Sequence, residues 1–170
     1  MSRLPFLFAL AGAALLGASP AAAVPSVSDS GADAIILKPL TLLKVEDMDF
    51  GGLLASGTAG TAILNPVSGA VTATGGVTAV SGPTTAAAFV GAGTRRAPVI
   101  IRIPKNPITL TRSGGTETMT VSTWTLDGAS TRLINAFEAF QFQVGGTLNV
   151  GANQVPGTYV GTFSVEVQYP

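Results

Sequence analysis

From Thr158 to the C-terminus, apolar and polar positions alternate without a break. Tyr159, Gly161, Phe163, Val165, Val167 and Tyr169 share one face, and Thr158, Val160, Thr162, Ser164, Glu166 and Gln168 share the other. Period two over that length predicts a long half-buried strand. Upstream, Phe140, Phe142 and Val144 alternate with Gln141 and Gln143, and the pattern resumes at Leu148 and Val150 after Gly145-Gly146. The glycine pair predicts a bulge or sharp bend, and residues 151–157 read as the loop closing an antiparallel pair. A pair that is apolar on one face only needs a second sheet to cover it.

The same period recurs along the rest of the chain. Ile35, Ile36 and Leu37 precede Pro39, and Leu40 to Val45 run on after it. Because Pro39 has no amide hydrogen, this segment belongs at a sheet edge or is two short strands with a break. Residues 51–93 are rich in Gly, Ala, Ser and Thr, yet hold strand-sized pieces at 60–64, 70–74, 77–80 and 86–90, separated by turn signals. That spacing predicts a sandwich or barrel and not a linker. Further strands are expected at Val99–Ile103, Ile108–Thr111 and Thr118–Trp124. Only Asp127–Glu138 hints at helix, through Leu133, Ile134 and Phe137, and its length supports a single turn.

Composition narrows the setting. Arg3, the apolar run Leu4–Leu16 and the small residues Ala21-Ala22-Ala23 predict a secretory signal peptide, residues 1–23, cut after Ala23. The run is shorter than the roughly 20 residues a membrane anchor needs. Residues 24–33 read as a flexible polar tail, and 34–170 as one domain, all-β, with an antiparallel sandwich fold. The whole chain carries nine basic and nine acidic residues, too few and too scattered for a nucleic-acid surface. After cleavage no integral membrane segment is expected. The expected location is outside the cytoplasm: periplasm, outer surface or medium.

Candidate chemistry is sparse. The chain has no His and no Cys, which excludes Ser-His-Asp, Cys-His and zinc-ligand constellations and leaves an exported fold to stand without disulfides. Glu46-Asp47-Met48-Asp49 admits a calcium site, but lacks an established calcium spacing, so a turn with Met48 and Phe50 pointing inward is favoured. Arg95-Arg96 and Arg102 admit an anionic-ligand patch, though a solvated turn is the plainer reading. Trp124 reads as packing before sugar stacking. Asp47, Asp49, Asp127 and Glu138 are the carboxylates a glycosidase would have to use. No constellation satisfies the geometry of an active site, so no catalytic, cofactor-binding or metal-ligating residue is assigned and the expectation is a non-enzyme.

Pro39-Leu40, Asp49-Phe50-Gly51, Val144-Gly145-Gly146-Thr147-Leu148, Gly157-Thr158-Tyr159-Val160-Gly161-Thr162-Phe163 and Val165-Glu166-Val167-Gln168-Tyr169, in that order, resemble the DUF4402 family of exported bacterial proteins. The resemblance spans residues 34–169. It implies an immunoglobulin-like sandwich and a looser similarity to fimbrial subunits assembled by chaperone and usher, whose last strand also alternates up to a penultimate aromatic. Two outcomes follow for the stretch from Ala32 to Leu42. It serves as a donor or edge strand in self-assembly, with a periplasmic chaperone as a further partner, or residues 35–45 form the first strand of their own domain. The family's own role is uncharacterised; the expected signal peptide, the all-β pattern, the missing catalytic residue types and the closing strand lead to the expectation of a fimbrial-like structural subunit, with a monomeric glycan-binding or adhesin-like module, using the loops around Arg95-Arg96 and Trp124, as the alternative.

Overall fold

Alternation carries through to the backbone. The computed structural model, which describes residues 30–170, is all-β, with eleven strands and no helix among the described residues. They are β1 (Thr41–Glu46), β2 (Gly52–Leu64), β3 (Val71–Ser81), β4 (Ala87–Ala92), β5 (Pro98–Arg102), β6 (Ile108–Arg112), β7 (Thr118–Leu126), β8 (Thr131–Leu133), β9 (Ala139–Val150), β10 (Tyr159–Val160) and β11 (Glu166–Gln168). The predicted leader and most of the predicted tail lie outside the described residues.

Two antiparallel sheets make a β-sandwich. In the larger, β1, β4, β9, β7, β6 and β10 lie side by side in that order, and the β2–β3 hairpin joins through β2 on β9. The smaller has the order β11, β5, β8. β9 is the hub. One of its edges pairs first with β4, from Ala139 to Val144, and then with β2, from Gly146 to Val150, while β7 occupies the other edge. At the end of the larger sheet, β1 follows Pro39, as a residue without an amide hydrogen requires.

The sheets face each other across Phe89, Phe140, Phe142 and Val144 of the large sheet, Val99 and Ile101 of β5, and Ile134. Phe142 stacks on Phe89 with ring centres 5.1 Å apart and on Phe140 at 6.4 Å. Each fully buried ring of this kind stabilises the fold by about 1.5–3 kcal/mol. A second cluster, Ala62, Val77, Val121, Leu148 and Val150, lies on the inner face of the large sheet and takes no residue from the small one.

Several expectations change. Gly145-Gly146 does not end a strand: β9 continues through it from Ala139 to Val150, and the missing side chain of Gly145 lets β2 and Pro66 pass close to its backbone. The bulge sits instead in β7, between Ser122 and Thr125, where Thr123 adopts a φ of 50°. Residues 151–157 do not close a pair, since β10 lies on β6 and not on β9. The pieces at 70–74 and 77–80 are one strand, β3, which contains Gly75 at φ 68° as part of a bulge against β2. Asp127–Glu138 holds no helical turn. Asn135 accepts hydrogen bonds from the amides of Phe137 (2.8 Å) and Ala139 (3.0 Å), and of the expected stripe only Ile134 is buried. The local side-chain acceptor outcompetes the helical ladder there.

The closing strand keeps its alternation but loses its ladder. Phe163, Val165, Val167 and Tyr169 turn inward, yet residues 161–165 belong to no strand. Their neighbour is the connection from β5 to β6, where Pro104 and Pro107 cannot donate. The chain therefore passes from the large sheet at β10 to the small sheet at β11.

Candidate functional site: an open apolar groove

The small sheet covers only the first core cluster; the second is packed instead against Met48, Phe50, Leu53 and Trp124, and its Val121, Leu148 and Val150 are 2%, 3% and 5% exposed. A groove of ≈ 850 Å³ runs over it, between residues 47–55 on one side and 154–163 on the other. Phe89, Leu110, Val121, Trp124, Leu148 and Val150 line it. β10 and β11 end their sheets, so the side of the closing segment that faces the groove has no strand paired to it. On the opposite wall, Leu53 and Ala55 are held by β3, and Asp49 makes a single two-way bridge to Thr85 (2.9 and 3.0 Å). The space has the form of a strand position left unfilled: apolar side chains beneath and a row of unpaired backbone alongside.

The rim is well tied down. Tyr159 donates from its hydroxyl to the Val155 carbonyl (2.7 Å) and accepts from Gln154 Nε2 (2.7 Å), which also reaches the Thr118 carbonyl (3.3 Å). Trp124 packs on Phe163 with ring centres 4.8 Å apart, and its indole N–H donates to the Asn106 carbonyl (3.1 Å). Thus the single Trp is committed to packing at one end of the groove.

At the turn from β6 to β7, Arg112 Nε binds Glu117 Oε2 at 2.6 Å. The hydrogen bond from Arg112 is the main cause that holds the Glu117 carboxyl below the ordinary glutamate range. A depressed carboxyl lends stability above its unfolded midpoint and loses it as the pH falls through the lower folded one. Acid should break this pair only at a pH below the range in which exposed glutamates protonate. An NMR titration should show the Glu117 midpoint below that of exposed glutamates, and Arg112→Gln should move it back up.

The carboxylates and cations singled out from the sequence are dispersed. Asp47 pairs with Lys44 (2.6 Å), Asp49 caps the Gly51 amide (2.8 Å), Asp127 binds Arg132, and Glu138 binds Lys38 (2.6 Å). Asp49 thus serves its own turn, while Met48 and Phe50 pack inward. Among the described residues no three carboxylates converge as metal ligands would. Arg95 and Arg96 are exposed on the turn after β4 and do not line the groove; Arg102 sits on β5 opposite Glu166. What the sequence reading missed is the lining itself. Leu110, Val121, Leu148 and Val150 follow an inward period-two pattern, which is the same whether or not another sheet covers them.

A second constellation joins four distant parts of the chain. The Tyr169 hydroxyl donates to the Lys38 carbonyl (2.7 Å) and accepts from the Thr94 amide (2.8 Å), and the Lys38 amide donates to Thr94 Oγ1 (2.6 Å). With the Lys38–Glu138 ion pair, these bonds clasp the chain just before β1. Leu40 and Leu42 then pack into the first cluster. The first strand therefore starts at Thr41 and not at Ile35.

The comparisons add a family. No curated protein and no solved structure matches the chain. The family model described as a domain of unknown function, DUF4402, matches residues 40–169, which takes in every strand of the sandwich, and the chain belongs to that family.

Proposed function

We propose that the protein is a non-catalytic, exported structural domain, a fimbrial-like subunit, that takes an extended segment into its groove by β-strand addition. The observation that carries this reading is the groove, which runs over the second core cluster along an edge with no paired strand. Strand addition supplies both things the groove lacks, backbone partners along the edge and side chains for the floor. Export is the setting that the expected leader supports.

Leu54 and Val160 allow a direct test. Both line the groove yet are 62% and 56% exposed, so charging them should leave the fold intact while making an apolar strand unwelcome. The purified chain should enlarge with concentration on size exclusion and show fibres in negative stain. The double substitution Leu54→Lys with Val160→Lys should give a folded monomer with a melting midpoint within a few degrees of the parent. Assembly that persists in the variant, or a parent that stays monomeric at every concentration, would remove the assembly reading. A glycan- or ligand-binding module would then be the one to pursue, beginning with a glycan array.

A further inference from the structure

We propose that one end of the sandwich, made by the neighbouring turns 93–97 and 134–139, docks on an anionic phospholipid bilayer, with Phe137 entering the acyl boundary and Arg95 and Arg96 lying at the phosphates. This surface is separate from the groove, which none of these residues lines.

The two turns are built side by side. Arg96 donates its amide to the Ile134 carbonyl (2.9 Å), Ile134 donates to the Ala97 carbonyl (3.0 Å), and Gly93 donates to the Glu138 carbonyl (3.0 Å). Each tip is also closed on itself. The Ala97 amide bonds back to the Thr94 carbonyl (3.1 Å) around Arg96 at φ 61°, and the Asn135 amide bonds to the Ala139 carbonyl (3.0 Å) around Glu138 at φ 64°. Phe137 stands in the second turn, its own amide held by the Asn135 side chain, and is 90% exposed. Leu133, paired with Pro98 just before that turn, is 69% exposed. Backbone bonds on both sides thus hold an aromatic ring out in water beside a second large apolar side chain, a combination that marks a contact surface.

Charge selects the occupant. Glu138 is the one carboxylate in either turn, and Lys38 pairs with it at 2.6 Å, whereas Arg95 and Arg96 enter no salt bridge among the described residues. Two uncompensated guanidinium groups therefore accompany the ring and the leucine. An anionic bilayer answers both features, since its phosphates attract nearby cations and its acyl boundary takes apolar side chains without a shaped pocket. A sugar would ask for hydrogen-bonding side chains, and here these are engaged within the domain. The Asn135 carbonyl oxygen accepts from the amides of Phe137 and Ala139, and Thr94 Oγ1 accepts from the Lys38 amide.

Vesicle flotation of the purified chain tests the proposal. The chain should float with vesicles rich in phosphatidylglycerol and stay behind with phosphatidylcholine alone. Arg95→Gln with Arg96→Gln should weaken partitioning by about fivefold for each charge lost, about twenty-five-fold together. Phe137→Ser should weaken it about tenfold or more. All three positions are exposed, so each variant should melt within a few degrees of the parent. Because the chain has no Cys, a polarity-sensitive dye on Phe137→Cys reports entry directly, with the exposed Ser68→Cys, in the turn between β2 and β3, as control. Phosphatidylglycerol vesicles should shift the emission of the first dye to the blue and leave the second unchanged, and inorganic phosphate alone should shift neither. No flotation, equal flotation on both lipids, flotation that survives the substitutions, or no shift at the Phe137 position would overturn the proposal. A shift with inorganic phosphate equal to that with vesicles would make the turns a free-anion patch and overturn the bilayer as occupant.

Discussion

Phe142→Ala should lower the melting midpoint by roughly 10–20 °C, the largest loss expected from any single substitution in this chain. Phe142 is 1% exposed on the hub strand, stacked between Phe89 and Phe140 and roofed by Val99 and Ile101 of the small sheet. Truncation there removes the transfer free energy of the ring and leaves a cavity that β9 cannot close, because its pairing with β4 from Ala139 to Val144 holds it in place. The combined cost is about 3–5 kcal/mol, a large share of the stability of a domain this size. Urea unfolding followed by the fluorescence of the single Trp would measure it. A loss below about 1 kcal/mol would show that the two sheets do not close on this ring.

Gly145→Ala is the second. A Cβ at this position would press into the Leu64 carbonyl and the Pro66 ring, where β2 finishes its pairing against β9. Backbone cannot swing aside as a side chain can, so relief has to come from breaking the last β2–β9 pairs, at about 2–3 kcal/mol. Gly57→Ala is the control: the nearest atom to its Cβ is Asn153 Oδ1 at 3.7 Å, an ordinary contact. It should change stability by less than about 0.5 kcal/mol. Amide exchange would localise the first effect, with protection lost between Gly60 and Leu64 and kept in β4. Equal effects from both glycines would mean that β2 does not cross there.

The expected assembly gives these losses a functional reading. Both substitutions weaken the large sheet, which forms the floor of the groove.

Period two made most of the fold legible in the sequence. Inward residues such as Phe140, Phe142, Val144, Leu148 and Val150 are those the alternation points to, because a pleated strand can turn only every second side chain to one side. Turn chemistry was legible where it is local, as at Asn65, whose side chain accepts from the amides of Val67 and Ser68. The family, too, was legible, from short motifs kept in order along the chain.

Pairing partners were not legible, and they decide the site. Alternation from Thr158 to Tyr169 describes one strand, yet the neighbouring connection carries two prolines and the segment is shared between two sheets. Gly145-Gly146 has the composition of a turn, and only the close passage of β2 shows why those glycines lie inside a strand. Likewise the clasp of Lys38 by Tyr169 and Thr94 brings together residues 131 and 56 positions apart, which no local pattern encodes. The sequence by itself determined which faces are apolar, since side-chain direction follows from strand geometry and residue type alone. Only the tertiary structure decided which part of the inner face the small sheet covers and which part lies beneath the groove, because that depends on where distant strands run and where they stop.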